Sequence, residues 1–270
     1  MPLGGALAGL AVAPMVVTSG LGGALAAIIG ALLLTILLVQ PFRGRLDEER
    51  EAGQGGWAQA LLSPATLLRA VRTLRAHPSL PLLTALGASL SVLQACLTAF
   101  TATYLITRHG ASLVEAGRIV AVMLVASVVG RVALGWLADR VGRALRHLAL
   151  QSLVSACAVG LMVAIGGEDA WAIVGCAALV GATAIGWNGV HMAELARVAP
   201  LPLVSEVTSA AGFFGFVGSI CGPLAFTLIV NGTGSYALAF SLAAAQVAVV
   251  GLVSLVILNR QRQQQADARA

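Results

Sequence analysis

The chain has 270 residues, of which 59% are hydrophobic and only 10% charged, and its mean hydropathy is +0.93. A water-soluble core of that length cannot hide so much apolar surface, so composition excludes a soluble domain and leaves an integral membrane protein. The net charge of +5 rests on 16 arginines and no lysine; they lie in loops rather than in one patch, which excludes a nucleic-acid partner and makes basic charge a marker of topology.

Residues 1–42 carry no charge, about twice the length that one crossing needs. Thr18, Ser19, Gly20, Gly22 and Gly23 interrupt that run near its middle, which predicts two spans, roughly 3–19 and 22–40, closed by Pro41 and Arg43. Met1 opens straight into apolar sequence with no basic n-region, a poor start for a removable signal peptide. So abrupt a beginning suggests that the chain lacks something upstream.

The one long polar segment follows, 43–79, with six arginines, four acids, the flexible GQGG at 53–56, and Pro64 and Pro78. Within it Leu67, Leu68, Val71 and Leu74 alternate at helical spacing with Arg69, Arg72 and Arg75, as in an amphipathic helix lying on the membrane or a solvated linker helix. Six further spans come in quick succession: about 80–105, 114–136, 147–166, 171–192, 206–230 and 236–258. The polar tail, 259–270, has no apolar face to bury and is expected to be disordered or only partly helical. Cys96, Cys157, Cys176 and Cys221 all fall inside spans as small hydrophobes, and neither a disulfide framework nor a metal site follows from them.

Eight spans alternate sides, so arginines can be assigned to a face. Thirteen fall on the face that holds 43–79, the 137–147 turn, 193–205 and the tail; Arg108 alone falls on the other, with Arg118 and Arg131 inside spans. That asymmetry puts both termini in the cytoplasm, in a multi-pass protein of a bacterial-type plasma (inner) membrane.

The turn between the fourth and fifth of these spans reads GRVALGWLADRVGRALR from Gly130 to Arg146. Gly135 is expected to admit a close helix, Gly142 to reverse the chain at positive φ, and Asp139 to be compensated by a helix dipole or an arginine. The pattern Gly135, Asp139, Arg140, Gly142, Arg143, Arg146 (G-x-x-x-D-R-x-G-R-x-x-R) resembles the cytoplasmic loop signature of the major facilitator superfamily of secondary transporters. An internal repeat agrees with it: Gly9, Ala13 and Pro14 recur as Gly218, Gly222 and Pro223, an offset of 209 residues, about one six-helix unit. The resemblance implies an all-α polytopic bundle of about eight transmembrane helices. Residues 80–258 would form one six-helix half, residues 1–42 the last two helices of an otherwise missing N-terminal half, 43–79 a cytoplasmic linker and 259–270 a cytoplasmic tail. A weaker similarity, GWNG through ELARVAP at 186–200 with GTGSYA at 232–237, is to bacterial facilitators of the cyanate and nitroimidazole permease type.

Polar side chains inside spans are the candidate working residues, because lipid makes them costly unless they face a cavity or a partner. Arg131 is the sharpest: it is expected to pair with Asp139 or with Glu206 as a gate latch, or to anchor structure, ahead of touching substrate. Gln94 and Thr98 share a helix face, as do Thr101 and Tyr104, and could bind a polar solute or bond their own helix. Arg118, one turn after Glu115, reads as an outer-face ion pair or an attractor for an anion. Trp187 and Asn188, flanked by Gly186 and Gly189, are path candidates or packing groups; Glu194 and Arg197 read as a helix-end ion pair. His191 could titrate in a cycle coupled to H+, or sit solvated at an interface. Gly212, Gly215, Gly218 and Gly222 form a small-residue stripe suited to sliding or to static packing.

The resemblance implies a secondary carrier moving a small polar or anionic organic solute across the lipid bilayer by alternating access. The rival is a truncated, non-transporting remnant or a subunit that needs another chain. No span shows H-E-x-x-H, G-x-S-x-G or paired aspartates, so nothing argues for an enzyme, a metal or a cofactor.

Overall fold

A computed structural model of the chain describes residues 2–42, 71–75, 77–165 and 170–267. Among them the long elements are helices: α1 (Pro2–Val39), α2 (Leu80–His109), α3 (Leu113–Val141), α4 (Ala144–Ala164), α5 (Ala170–Val180), α6 (Asn188–Val198), α7 (Val204–Thr233) and α8 (Tyr236–Asp267). A π-helical segment, Gly181–Ile185, joins α5 to α6, and the two run on as a single span from Trp171 to Val198. Seven helices of the described residues are long and apolar enough to cross a membrane. The all-α membrane bundle expected from composition is therefore what the chain forms.

The N-terminal run departs from expectation in one respect. Instead of two spans joined by a loop, α1 is continuous except at Gly20, whose backbone (φ 70°, ψ 173°) leaves the helix. The break falls where Thr18, Ser19 and the glycines predicted it, and only glycine adopts that conformation without strain. Each segment holds about 18 residues, or roughly 27 Å at 1.5 Å per residue, close to the thickness of a bilayer core. Counted by segment the helices that can cross are eight, as expected. The other spans start within three residues of their predicted positions and run longer, because short polar ends continue the helix. The tail is one such case, since α8 extends through Asp267. Most of the expected surface helix over 64–77 lies outside the described residues.

Helix α2 is the axis of the bundle. Leu80, Leu83, Leu86, Leu90, Leu93 and Leu97 recur every three or four residues and are all fully buried, which puts one continuous leucine stripe at the centre. Around it α7 and α8 pack along one side and α3, α6 and the π segment along the other, while α4 lies against α8 and α1 against α3. Water is not the solvent outside this bundle, so apolar burial contributes little to helix pairing there, and small residues that let backbones approach decide which helices meet. A Cβ at Gly218 would stand 2.7 Å from the Ala88 carbonyl, and one at Gly222 3.0 Å from Val92. Gly9 and Gly117 make the same kind of contact between α1 and α3, with a Cβ at Gly9 2.9 Å from the Gly117 carbonyl. Gly9 and Gly218, matched by the internal repeat, thus each admit a carbonyl of another helix, Gly9 one of α3 and Gly218 one of α2. The likeness extends to the prolines: the Thr18 hydroxyl donates to the Pro14 carbonyl at 3.1 Å, and the Thr227 hydroxyl to the Pro223 carbonyl at 2.8 Å.

The ends of α3 set the loop motif. At its start Ser112 forms a capping box with Glu115, whose carboxylate accepts from the Ser112 backbone N–H at 2.8 Å. At its end Gly142 takes φ 65° and donates its N–H to the Ala138 carbonyl at 3.0 Å, the left-handed stop expected of it.

Candidate functional site

The site begins with backbone contact between α3 and the span made of α5, the π segment and α6. A Cβ at Gly130 would collide with Ala182, one at Gly181 with Met123, and one at Gly186 with Ala182 and the Arg131 backbone. Three glycines on two helices are therefore the condition for this approach. The π segment supplies the phase: each residue advances a helix by about 100°, so a widened turn rotates everything after it relative to an uninterrupted α-helix. It also loosens the i→i−4 pattern, and the Gln151 side chain of α4 compensates by donating its Nε2 to the Thr183 carbonyl at 2.8 Å. Gln151 and Thr183 are both buried.

Below this contact, toward Gly142, a cavity of about 330 Å³ opens between α3 and α6. Arg131, Gly135, Asp139, Gly189 and Glu194 are among the residues that line it. Glu194, 5% exposed, is clasped by Arg197: Nε to Oε2 and Nη2 to Oε1, both at 2.7 Å. This is the helix-end ion pair read from the sequence. Arg197 itself is 67% exposed, so the pair lies at the cavity's outer edge. Inside, the Arg131 Nε is buried and has no hydrogen-bond partner. Among the described residues no ion pair joins Arg131 to Asp139 or to Glu206. The Glu206 Oε2 instead accepts from the Thr73 hydroxyl at 3.5 Å, and Asp139 is exposed at the cavity edge. Burying a guanidinium nitrogen without an acceptor is costly, and a small anion in the cavity would satisfy it.

A second polar cluster sits higher, where α2 meets the start of α6. The Gln94 Oε1 accepts twice, from the Trp187 Nε1 at 2.9 Å and from the Asn188 Nδ2 at 3.0 Å. Three of the path candidates are thus brought together. One turn on, His191 is 3% exposed and not solvated: its Nε2 lies 2.9 Å from the Leu83 carbonyl and its ring meets Trp187 edge-on at 5.1 Å. Gly87 makes room for that ring, since a Cβ there would collide with it.

The remaining predicted residues are dispersed. Thr98 is exposed and donates back to the Gln94 carbonyl at 2.9 Å, while Thr101 bonds Leu97 in the same way at 2.6 Å. Tyr104 is buried at the other end of α2, edge-on to His109 and Phe240, with its hydroxyl unpartnered. Arg118 is exposed, and the expected ion pair with Glu115 is not made because Glu115 turns back to cap its own helix. In the loop motif, Arg140 stacks over the Trp136 ring at 4.4 Å, Arg143 is exposed and Arg146 half-buried. Gly135 does not receive a close helix as expected; the space where a Cβ would go is open and belongs to the cavity. Of the seventh span's glycines, Gly215, Gly218 and Gly222 face α2, whereas Gly212 faces nothing within 4 Å. Gln151 and the clamping roles of Gly130 and Gly181 went unread in the sequence. A glutamine inside an apolar span was the available signal for the first; nothing local marks those glycines off from the other packing glycines.

Seven apolar, membrane-length helices among the described residues, with a charged cavity between α3 and α6 beside a basic turn, make this a polytopic α-helical membrane protein. The model of the Major Facilitator Superfamily matches residues 1–223, and the chain belongs to that family. Over 123 residues it is 33% identical to the "Probable nitrate/nitrite transporter NarK2" of Mycobacterium tuberculosis, in strain CDC 1551 / Oshkosh and equally in strain ATCC 25618 / H37Rv. The match takes in 45% of this chain and 30% of those relatives.

Proposed function

We propose that the chain acts in the transport of a small oxyanion, of the size and charge of nitrate or nitrite, and that Arg131 is its anion contact. The observation that carries this reading is the buried, unpartnered Nε of Arg131 in the 330 Å³ cavity. A guanidinium offers planar donors that match the oxygens of an oxyanion. Glu194 is already neutralised by Arg197, so Arg131 is the inner charge left to attract a ligand. The names of the relatives agree with this chemistry. It replaces the sequence expectation that Arg131 pairs with a carboxylate first and meets substrate last.

In this proposal the anion passes by alternating access across a bacterial-type inner membrane, with both termini inside as the arginine distribution requires. Helices α2 to α8 form a six-helix half, and the two segments of α1 stand for the last two helices of the other; the repeated bond from a threonine hydroxyl to a proline carbonyl, Thr18 to Pro14 and Thr227 to Pro223, supports that division. The Asp139 loop, at the cavity's mouth, is the gate. His191 is buried with its Nε2 against the Leu83 carbonyl, and whether transport is coupled to protons is read by the transport assay.

The test is uptake of labelled nitrate and nitrite into proteoliposomes holding the full chain, with and without a pH gradient. The expected result is saturable uptake that Arg131→Gln reduces at least ~100-fold, the scale of losing a buried charge-assisted contact. Uptake unchanged by Arg131→Gln sinks the anion reading. Absence of uptake by the unsubstituted chain, together with uptake once a second chain is supplied, favours a subunit of a larger carrier.

A further inference from the structure

Every glycine at the α3 contact is pressed against backbone except one. Gly130, Gly181 and Gly186 would each drive a Cβ into a carbonyl or an amide of the facing helix, which cannot yield without moving the whole helix. Gly189 is different. A Cβ there would stand 3.0 Å from the Cγ and 3.6 Å from the Cδ of Arg131, with the Arg131 carbonyl at 3.8 Å. What lies across Gly189 is therefore the aliphatic stem of the arginine, and that stem can move.

From this geometry we infer that Gly189 is a positioning residue for the anion site: its bare face is the track along which the Arg131 stem runs into the cavity, and any side chain there would turn the guanidinium away. The inference rests on the anion reading given above. Three observations bear on it together. The Arg131 Nε is buried without a partner, so the direction of the stem decides what that nitrogen meets. Gly189 and Arg131 both line the cavity, so displacing one reshapes the space beside the other. The π segment, only four residues before Gly189, sets which face of α6 looks at α3; one residue more or less in that turn would rotate the face by about 100° and bring a different side chain against the arginine. The Gln151 side chain that holds the Thr183 carbonyl stabilises that phase from a third helix.

Contact at 3.0 Å is tighter than a methyl normally accepts, and the cheapest relief is a change of rotamer along the arginine rather than a shift of either helix. Gly189→Ala should then weaken anion binding while leaving the fold intact. Gly175, on the same span with nothing within 4 Å of where its Cβ would be, is the control.

The experiment measures nitrate binding by titration calorimetry, and thermal unfolding, for the full chain in lipid nanodiscs. It compares the unsubstituted chain with Gly189→Ala, Gly175→Ala, Arg131→Ala and the double variant Gly189→Ala with Arg131→Ala. The expected result is a Kd for nitrate raised about tenfold by Gly189→Ala, the scale of one misaligned charge-assisted contact. Gly175→Ala should leave it unchanged, and the double variant should match Arg131→Ala in affinity and in melting temperature, because the stem that the methyl strikes is gone. Should Gly189→Ala fold poorly, restoration of its melting temperature in the Arg131→Ala background still identifies the stem as the point of collision. Nitrate affinity untouched by Gly189→Ala but lost in Arg131→Ala would overturn the positioning role and leave the anion reading standing. So would a melting-temperature loss from Gly189→Ala that persists in full without the arginine stem. Nitrate binding that survives Arg131→Ala removes the anion reading itself, and the role of Gly189 with it.

Discussion

Residues in this chain acquire their roles from what they lack as much as from what they touch. Arg131 matters because its Nε is buried with no acceptor, and Glu194 matters less than its burial suggests because Arg197 already holds both its oxygens. Gln94 illustrates the opposite case, a polar group whose acceptor is used twice. Trp187 is 3% exposed, so removing the Gln94 Oε1 leaves the indole N–H with neither water nor protein to bond. Gln94→Met, similar in shape, should lower stability by about 1–3 kcal/mol, the cost of a buried donor left unpaired. Thermal unfolding in detergent reads this directly, and Thr98→Val serves as the contrast. The Thr98 hydroxyl is exposed and only bonds its own helix, so its loss should fall within about 0.5 kcal/mol.

At the level of elements the bundle is built by glycines of two kinds. Those on α7 that face α2 are structural contacts: valine at Gly218 would put its Cβ 2.7 Å from the Ala88 carbonyl, where neither helix can yield. Gly218→Val should cost about 3 kcal/mol or more, at the upper end for overpacking, and lower the amount of folded protein recovered from membranes. Gly212→Ala, with nothing within 4 Å of where its Cβ would stand, should leave the recovered amount unchanged. Fluorescence-detected size-exclusion of the two variants separates these outcomes. The stripe read from the sequence is thus real over Gly215, Gly218 and Gly222 but stops at Gly212. The break in α1 follows from the same chemistry, since Gly20 can leave the helix without strain while the flanking residues keep it.

For the molecule as a whole, orientation is the property with the sharpest test. With the arginine-rich face inside, a membrane-impermeant thiol reagent applied to intact cells should label Ala111→Cys in the α2–α3 turn and should leave Arg143→Cys in the α3–α4 turn unlabelled until the membrane is permeabilised. The background needs Cys96, Cys157, Cys176 and Cys221 replaced, as all four are free thiols. The reverse labelling pattern would invert the topology. That the chain is a helical membrane bundle, where its spans begin, and that Gly142 stops α3 were all legible in the sequence, because hydropathy, arginine placement and glycine backbone freedom are local and each acts over a few residues. The partners of the polar groups were not. Glu115 chose its own helix start over Arg118, Gln94 joined Trp187 and Asn188, and Arg131 was left unpaired beside a cavity. The Glu115 choice is a local contest within one turn of α3, but the other two outcomes depend on the phase at which one helix meets another, which the π segment and the glycines of α3 set only once the helices are packed. Length and composition decide that a helix crosses the bilayer, whereas the side chain that faces a given arginine is decided by rotation and distance between elements far apart in the chain.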